Sequence, residues 1–146
     1  MLVRDILKNK GYEVYSISAD QTVFEAIEKM DKLDIGALVV MDGDQLLGIL
    51  SERDYRSKVI LKGRTSKKTK VNTIMTGSVY NVSPRDTVES CMSIMTDKKI
   101  RHLPVMEDDS VVGVISIGDL VKAIISKQKG EITNLRQYIQ GGQYPA

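Results

Sequence analysis

The pattern of apolar and polar residues predicts the same order of elements twice along the chain. In the first half, a short apolar run at residues 14–17 predicts a strand, and a stripe of apolar residues with helical spacing follows over residues 22–33. Two further strands, at 36–41 and 46–50, are joined by an aspartate- and glycine-rich turn that is typical of a hairpin. A helix over residues 52–61 closes the unit. The predicted order is therefore β-α-β-β-α.

The second half repeats the first at a constant offset of 65 residues. The match runs without a gap from Val14 and Val79 to Ile60 and Ile125, and a predicted helical stretch precedes each copy, at residues 3–10 and at 71–75. A unit of about 60 residues buries little core by itself. We therefore predict an α/β (α+β) fold in which two pseudo-symmetric β-α-β-β-α units pack as one module about a pseudo-two-fold axis.

The sequence divides into four segments. Residues 1–61 form the first unit with its N-terminal helix, 62–70 a linker, 71–128 the second unit, and 129–146 a C-terminal tail. A last short helix is predicted over 131–139, and the final six residues are expected to fray. The linker carries five cations and no acid, so the chain's net charge of +2 leaves −3 for the remainder.

Composition restricts the cellular compartment and the class of ligand that we expect for the protein. One cysteine cannot form an internal disulfide, and the N-terminal region lacks the continuous apolar stretch of a signal peptide. No apolar run is long enough to predict a membrane span, so we expect a cytoplasmic protein. Aromatic residues are scarce, with six Tyr, one Phe and no Trp, which weighs against a base-stacking surface for nucleic acid.

A Ser-x-x-Asp motif ends the second hairpin strand of each copy. Ser51 precedes Asp54, and Ser116 precedes Asp119, at the point where a buried strand becomes a helix. Helix N-termini present free N–H groups and a positive dipole end, which suit an anion. The same residues also fit a capping box, in which the aspartate serves its own helix. Both interpretations remain open at this point.

Two β-α-β-β-α units that each end in Gly-apolar-apolar-Ser-x-x-Asp resemble a tandem pair of cystathionine β-synthase (CBS) domains, also called a Bateman module. The resemblance covers roughly residues 1–128, and the second copy matches the family best, with Val82-Ser83-Pro84, Thr87, the segment from Ile100 to Val105, and Gly113 to Asp119. No catalytic segment accompanies the pair in this sequence. The chain is therefore similar to stand-alone members of the family.

The resemblance implies a regulatory sensor that binds an adenosine compound in clefts between the two units. AMP comes first among the expected ligands, with ADP, ATP, NAD and S-adenosylmethionine as the others, and no catalytic cofactor is implied. The aspartates would hold ribose hydroxyls, and the serines and a cation before the Leu-Pro-Val stretch would approach phosphate. The candidate ligand-binding residues are Thr22, Ser51, Arg53, Asp54, Thr87, Arg101, His102, Ser116 and Asp119.

The resemblance also implies a homodimer and no enzymatic activity. A Cys91–His102 nucleophile pair is an alternative, but Cys91 lies on the apolar stripe of its helix, where a buried small residue is expected. The basic linker offers a different alternative, a nucleic-acid-associated or protein-interaction factor, although five charges in a solvated loop would bind weakly and without specificity. Arg53 opposes the dipole at a helix start, which favours either a nearby anion or a side chain in solvent.

Overall fold

A computed structural model describes residues 1–140 of the chain, and its elements follow the predicted order. The helices are α1 (Val3–Lys10), α2 (Val23–Leu33), α3 (Glu52–Lys58), α4 (Val71–Ile74), α5 (Val88–Lys98) and α6 (Ile117–Gln140). The strands are β1 (Ser16–Ile17), β2 (Ala37–Asp42), β3 (Gln45–Ser51), β4 (His102–Glu107) and β5 (Ser110–Ser116). A short 3-10 turn at Ile60–Lys62 ends the first unit, so the helix predicted over 52–61 breaks after Lys58.

Each unit is built on an antiparallel hairpin with a bulge at the same place. β2 pairs with β3, with Val39 opposite Ile49, and β4 pairs with β5 in the equivalent register. The strand predicted at 14–17 shortens to β1, which lies parallel to β2. Its counterpart in the second unit is reduced to a single parallel bridge between Val82 and Val105. The two sheets are thus related but unequal.

The two units exchange their N-terminal helices. Apolar residues of α1, namely Val3, Ile6 and Leu7, are buried in the core of the second unit. Val71 and Ile74 of α4 are buried in the core of the first unit. A division of the chain at residue 61 therefore does not separate the two cores, because each core contains a helix that precedes the other unit in the sequence.

The segment 62–70 is part of this exchange and is not a free linker. The Val23 amide donates to the Thr69 carbonyl at 2.8 Å, which satisfies one of the unpaired N–H groups at the start of α2. At the start of α5, the Val88 amide donates to the Met1 carbonyl at 3.1 Å in the equivalent way. Thr69 is buried, whereas the five cations of the segment are exposed. The expectation of solvated charges is confirmed, but the backbone between them is packed.

The predicted tail helix is the end of a much longer helix. α6 runs without interruption from Ile117 to Gln140, across the boundary predicted at residue 128. Gly130 lies inside it, and one glycine in an exposed helix costs only about 1 kcal/mol relative to alanine. The frayed end expected for the last six residues lies outside the described residues. No helix within residues 1–140 is both long and apolar enough to span a membrane.

Gly48 marks the closest contact between a strand and an exchanged segment. Ile49 and Thr76 exchange two backbone hydrogen bonds of 3.0 Å, which brings the chain after α4 against β3. A Cβ atom at Gly48 would lie 2.6 Å from the Thr76 carbonyl oxygen. At the equivalent Gly113, a Cβ atom would lie 2.7 Å from a Leu7 methyl group, which is the end of a flexible side chain.

We expect Gly48→Ala to destabilise the protein by about 1–3 kcal/mol, since the backbone carbonyl of Thr76 cannot rotate away. Gly113→Ala should cost less, because the Leu7 side chain can adjust. Gly77→Ala is the matched control, because nothing lies within 4 Å of its added Cβ. Urea denaturation of the three variants measures their free energies of unfolding and so gives the order of the losses. Equal losses for Gly48→Ala and Gly77→Ala would show that the close approach does not constrain the fold.

Candidate functional site

Two clefts lie between the units, and the larger one contains the first Ser-x-x-Asp motif. This first cleft has a volume of about 510 Å³. Its wall joins residues of the first unit to the strand-like segment and hairpin start of the second. The lining residues are Gly36, Ile49, Ser51, Glu52, Arg53, Asp54, Arg56, Thr76, Ser78, Val79, Tyr80, Ile100, Arg101 and His102. A volume of this size is typical of a small-molecule site.

The second cleft is the pseudo-symmetric counterpart of the first, with a volume of about 420 Å³. It contains Ser116 and Asp119, which match Ser51 and Asp54 at the 65-residue offset. Its other lining residues are Lys10, Gly11, Glu13, Tyr15, Asp34, Ile35, Gly36, Ala37, His102 and Val114. The structure thus places both predicted motifs in clefts between the units, where the family resemblance implied them.

Both aspartates cap their own helices. The Asp54 carboxylate accepts a hydrogen bond of 2.9 Å from the Ser51 amide, and the Asp54 amide donates back to Ser51 Oγ at 3.4 Å. Asp119 and Ser116 repeat this arrangement at 2.8 and 3.2 Å. The capping interpretation is therefore confirmed. Binding to ribose stays a prediction, and a ligand would have to share a carboxylate that is already hydrogen-bonded.

The two carboxylates have different cationic partners. Asp54 forms an ion pair with Lys58 on its own helix, with 3.0 Å between Nζ and Oδ1. Asp119 is paired with Lys10 from the exchanged helix α1 at 2.7 Å, and Lys10 Nζ also donates to the Val114 carbonyl at 2.6 Å. Burial alone would raise the pKa of Asp119, but the Lys10 and Ser116 hydrogen bonds outweigh it and lower the pKa. Lys10 thus joins α1 to the second cleft.

Arg101 and His102 lie where the two clefts meet. His102 and Gly36 line both clefts, whereas Arg101 lines the first, together with Asp54. A Cβ atom at Gly36 would lie 3.4 Å from the His102 ring, so the small residue in the first copy makes room for the imidazole in the second. Two positions at which the copies differ in size and polarity therefore face each other between the two clefts.

His102 is a neutral ring in this environment. Burial lowers its pKa, and the positive charges of Lys10 and Arg101 lower it further, while Asp119 opposes them. At neutral pH the imidazole can donate and accept hydrogen bonds but adds no charge. Arg101 is exposed and supplies the cation at this end of the first cleft.

Arg53 bridges the two units. Its Nη1 donates to the Lys99 carbonyl at 2.6 Å, at the C-terminal end of α5. A cation is favourable there, because the last carbonyls of a helix carry partial negative charge. This contact explains the apparent misfit of Arg53 at the start of α3, and it leaves the remaining guanidinium N–H groups at the edge of the first cleft.

Thr22 and Thr87 are not brought to either cleft. Each is the N-cap of its helix and accepts a hydrogen bond from the backbone, Thr22 from the Glu25 amide and Thr87 from the Ser90 amide. Neither lines a cleft, so the structure gives their proposed ligand role no support. The helix-capping motif at residues 22–25, which the sequence also indicated, is confirmed.

Cys91 is a core residue, as the repeat predicted. It is fully buried, and burial, aided by the charge of Asp86, raises the pKa of its thiol to about 11. The thiol is therefore protonated at neutral pH and unsuited to act as a nucleophile. Among residues 1–140, no three potential ligands from His, Cys, Asp and Glu come together as a metal site would require.

Several cleft residues were missed by sequence reasoning. Tyr15 and Tyr80 occupy equivalent places in the two clefts, and their identity across the repeat was a usable signal. Arg56 and Lys10 had no such signal. Arg56 is one of several charged residues on α3, and Lys10 lies in a stretch of α1 that extends beyond the four-residue α4.

Charge distinguishes the clefts more than shape does. The first cleft combines three arginines with two acidic residues, for a net lining charge of +1 with His102 neutral. The second combines one lysine with Glu13, Asp34 and Asp119, for a net charge of −2. An anionic ligand is therefore favoured in the first cleft and disfavoured in the second.

Comparisons with known proteins agree with this architecture. A model of the CBS domain matches residues 3–60 and 71–126. The chain is 42% identical to the CBS domain-containing protein CBSX3 of Arabidopsis thaliana, which is named as mitochondrial, over 96% of this chain and 72% of the relative. A CBS-domain protein of Burkholderia ambifaria MC40-6 assigned to signal transduction superposes with a TM-score of 0.85 at 44% identity, covering 88% and 96% of the two chains. A hexameric CBS-CP12 protein from bloom-forming cyanobacteria gives 0.74 at 27% identity, covering 83% and 70%.

We expect Lys10→Met to lower the thermal midpoint at neutral pH, and this difference from wild type should shrink as the pH falls through the folded-state pKa of Asp119. The folded-state pKa of Asp119 lies below its ordinary 3.8, so the carboxylate stabilises the fold above that value. The stabilisation by the Asp119 carboxylate is lost as the pH falls through its folded-state pKa. The stabilisation by the Lys10–Asp119 ion pair is lost with it. Lys8→Met, which removes an exposed cation from the same helix, is the control. A pH-independent difference between Lys10→Met and wild type would contradict the ion-pair assignment.

Proposed function

The chain belongs to the CBS-domain family, and on that premise we propose that it is a regulatory module whose first cleft binds an adenosine nucleotide. The observation that carries the proposal is the composition of that cleft, in which a buried carboxylate, three arginines and an apolar wall surround about 510 Å³. These groups match the three parts of a nucleotide. The assignment of the Burkholderia relative to signal transduction supports a regulatory role.

Each part of the ligand has a partner in the proposed arrangement. The adenine ring packs on the apolar side of the cleft, formed by Ile49, Val79 and Ile100. The ribose hydroxyls donate to Asp54, whose carboxylate oxygens have acceptor capacity beyond the helix cap. The phosphate lies near Arg101, where a charge-assisted hydrogen bond is stronger than a neutral one. AMP comes first among the candidates because it is the smallest ligand that offers all three groups.

Catalysis, cellular location and oligomeric state are the remaining aspects of the function. We propose a regulatory role without a catalytic step, since Cys91, the nucleophile candidate of the sequence, is buried and its thiol is protonated at neutral pH. A cytoplasmic location stays a prediction, and the Arabidopsis relative is named as mitochondrial. A homodimer also stays a proposal, which the hexameric cyanobacterial relative supports only as a tendency of the family to associate.

Thermal melting in the presence of AMP, ATP, NAD and S-adenosylmethionine provides the first test. A ligand at 100 times its dissociation constant should add about 2.7 kcal/mol to the free energy of unfolding. If no adenosine compound raises the melting point while DNA binds in a salt-sensitive manner, the exposed cations of the segment 62–70 become the functional surface and the nucleotide proposal fails.

We expect Arg101→Ala to weaken AMP binding by about ten- to a hundredfold, because a charge-assisted contact to phosphate contributes about 1.5–3 kcal/mol. Adenosine, which has no phosphate, should bind wild type and variant alike. Arg85→Ala, which removes an exposed arginine outside both clefts, is the matched control. Calorimetric titration with AMP and adenosine separates the contribution of the phosphate to the binding free energy from that of the nucleoside. Equal losses for the two ligands would mean that Arg101 shapes the cleft without contacting the phosphate.

Asp54→Asn and Asp119→Asn form a matched pair that tests which cleft is used. Asparagine retains a cap acceptor, and each variant loses one lysine ion pair, so their effects on the ligand-free melting point should be similar. We expect AMP affinity to fall at least tenfold in Asp54→Asn and to change little in Asp119→Asn. The reverse order in calorimetric titration would assign the stronger site to the second cleft.

A further inference from the structure

Helix α6 presents an apolar stripe that the rest of residues 1–140 does not cover. Ile117, Leu120 and Ile124 contact the core of the second unit, but every residue from 125 to 137 is exposed. The exposed fractions of the apolar residues rise from 43% to 61% along the helix, and these residues are Val121, Ile125, Ile132, Leu135 and Ile139. Together with Gln128, they define the α6 seam. An isolated helix with so little packing is marginal in water, so the seam is suited to a partner.

The spacing of the seam is that of a coiled coil. Its six positions are separated alternately by four and three residues, which is a 3.5-residue period over nearly three heptads. The three a positions are all isoleucine, at 125, 132 and 139, and the d positions are Val121, Gln128 and Leu135. Isoleucine at a with leucine at d, as at Ile132 and Leu135, favours two strands in a parallel pair, and a single polar residue in the seam, here Gln128, helps to fix the register.

The flanking charges identify the partner. On one side of the seam, the e positions are Lys122, Lys129 and Arg136, while the g position of the central heptad is Glu131. In a parallel pair, a g residue faces the e residue five positions later on the other helix, which pairs Glu131 with Arg136 twice. Residues five apart do not meet on one helix, and neither residue forms an ion pair within residues 1–140.

An antiparallel pair is disfavoured by the same charges, because it would align the three basic e positions with one another. We therefore propose that α6 pairs in parallel with the α6 of a second copy of this chain, through the seam and two reciprocal Glu131–Arg136 ion pairs. Ile124, at a g position, packs on the chain's own core. A two-fold axis along the seam then places the two bodies on opposite sides of it. The proposal does not depend on the identity of any nucleotide.

Charge reversal tests both the partner and the orientation. Glu131→Lys and Arg136→Glu each replace two attractive pairs by two repulsive ones, so each variant should self-associate about tenfold more weakly than wild type in sedimentation equilibrium. An equimolar mixture of the two should regain dimerisation, because only the mixed pair restores opposite charges on both sides. Lys127→Glu, which reverses an exposed charge away from the seam, is the control and should remain dimeric.

A cysteine at the seam gives a second readout that does not depend on these charges. Leu135→Cys places two thiols opposite each other in a parallel pair in register, so mild oxidation should give a covalent dimer. Gln137→Cys, on the outer face of the helix, should remain mostly monomeric under the same conditions. Circular dichroism melts check that each variant is folded. A wild-type protein that sediments as a 16.3 kDa monomer at 100 µM overturns the proposal. So does a dimer that neither charge reversal weakens and Leu135→Cys does not cross-link.

Discussion

The exchange of N-terminal helices between the two units is the interaction on which the rest of the structure depends. Burial of α1 in the second core and of α4 in the first means that neither unit has a complete hydrophobic core without a segment from the other. Backbone hydrogen bonds from the starts of α2 and α5 to these segments reinforce the exchange. The clefts exist because the units are held together in this way, with their walls contributed from both sides.

The exchange also explains how a nearly symmetric scaffold produces two unlike sites. α1 is longer than α4, and its additional residues bring Lys10 to the carboxylate of Asp119. In the first cleft the corresponding carboxylate pairs within its own helix, and Arg101 takes the place that a glycine occupies in the other copy. Small departures from the repeat, placed near the pseudo-two-fold axis, thus give the clefts opposite charge. The backbone framework is shared, and the difference in charge between the clefts lies in a few side chains.

The fold and the motif positions were predictable because they rest on local signals and on duplication. Helix caps at Thr22 and at both serines, like the hairpin turns, depend on residues close together in the sequence. The repeat is visible when the two halves of the sequence are aligned at the 65-residue offset. The exchange of helices was not predictable, since the apolar spacing of residues 3–10 shows that the helix has a buried face but not which core that face enters. Lys10 was missed for the same reason, because its role depends on that exchange. The length of α6 was underestimated because residues 131–139 were predicted as a separate short helix, whereas Gly130 costs too little to interrupt an exposed helix.

The exchanged helix α1 imposes an order on the assembly of the chain during synthesis. α1 is made before the second unit, and the core residues that it contacts lie beyond residue 81, while the carboxylate that Lys10 reaches is at position 119. Until the ribosome has released most of the second unit, the apolar face of α1 has no native partner. The first unit can gain α4 earlier, since that helix follows it directly. The nascent protein therefore completes its first core before its second, and α1 is buried only after α4.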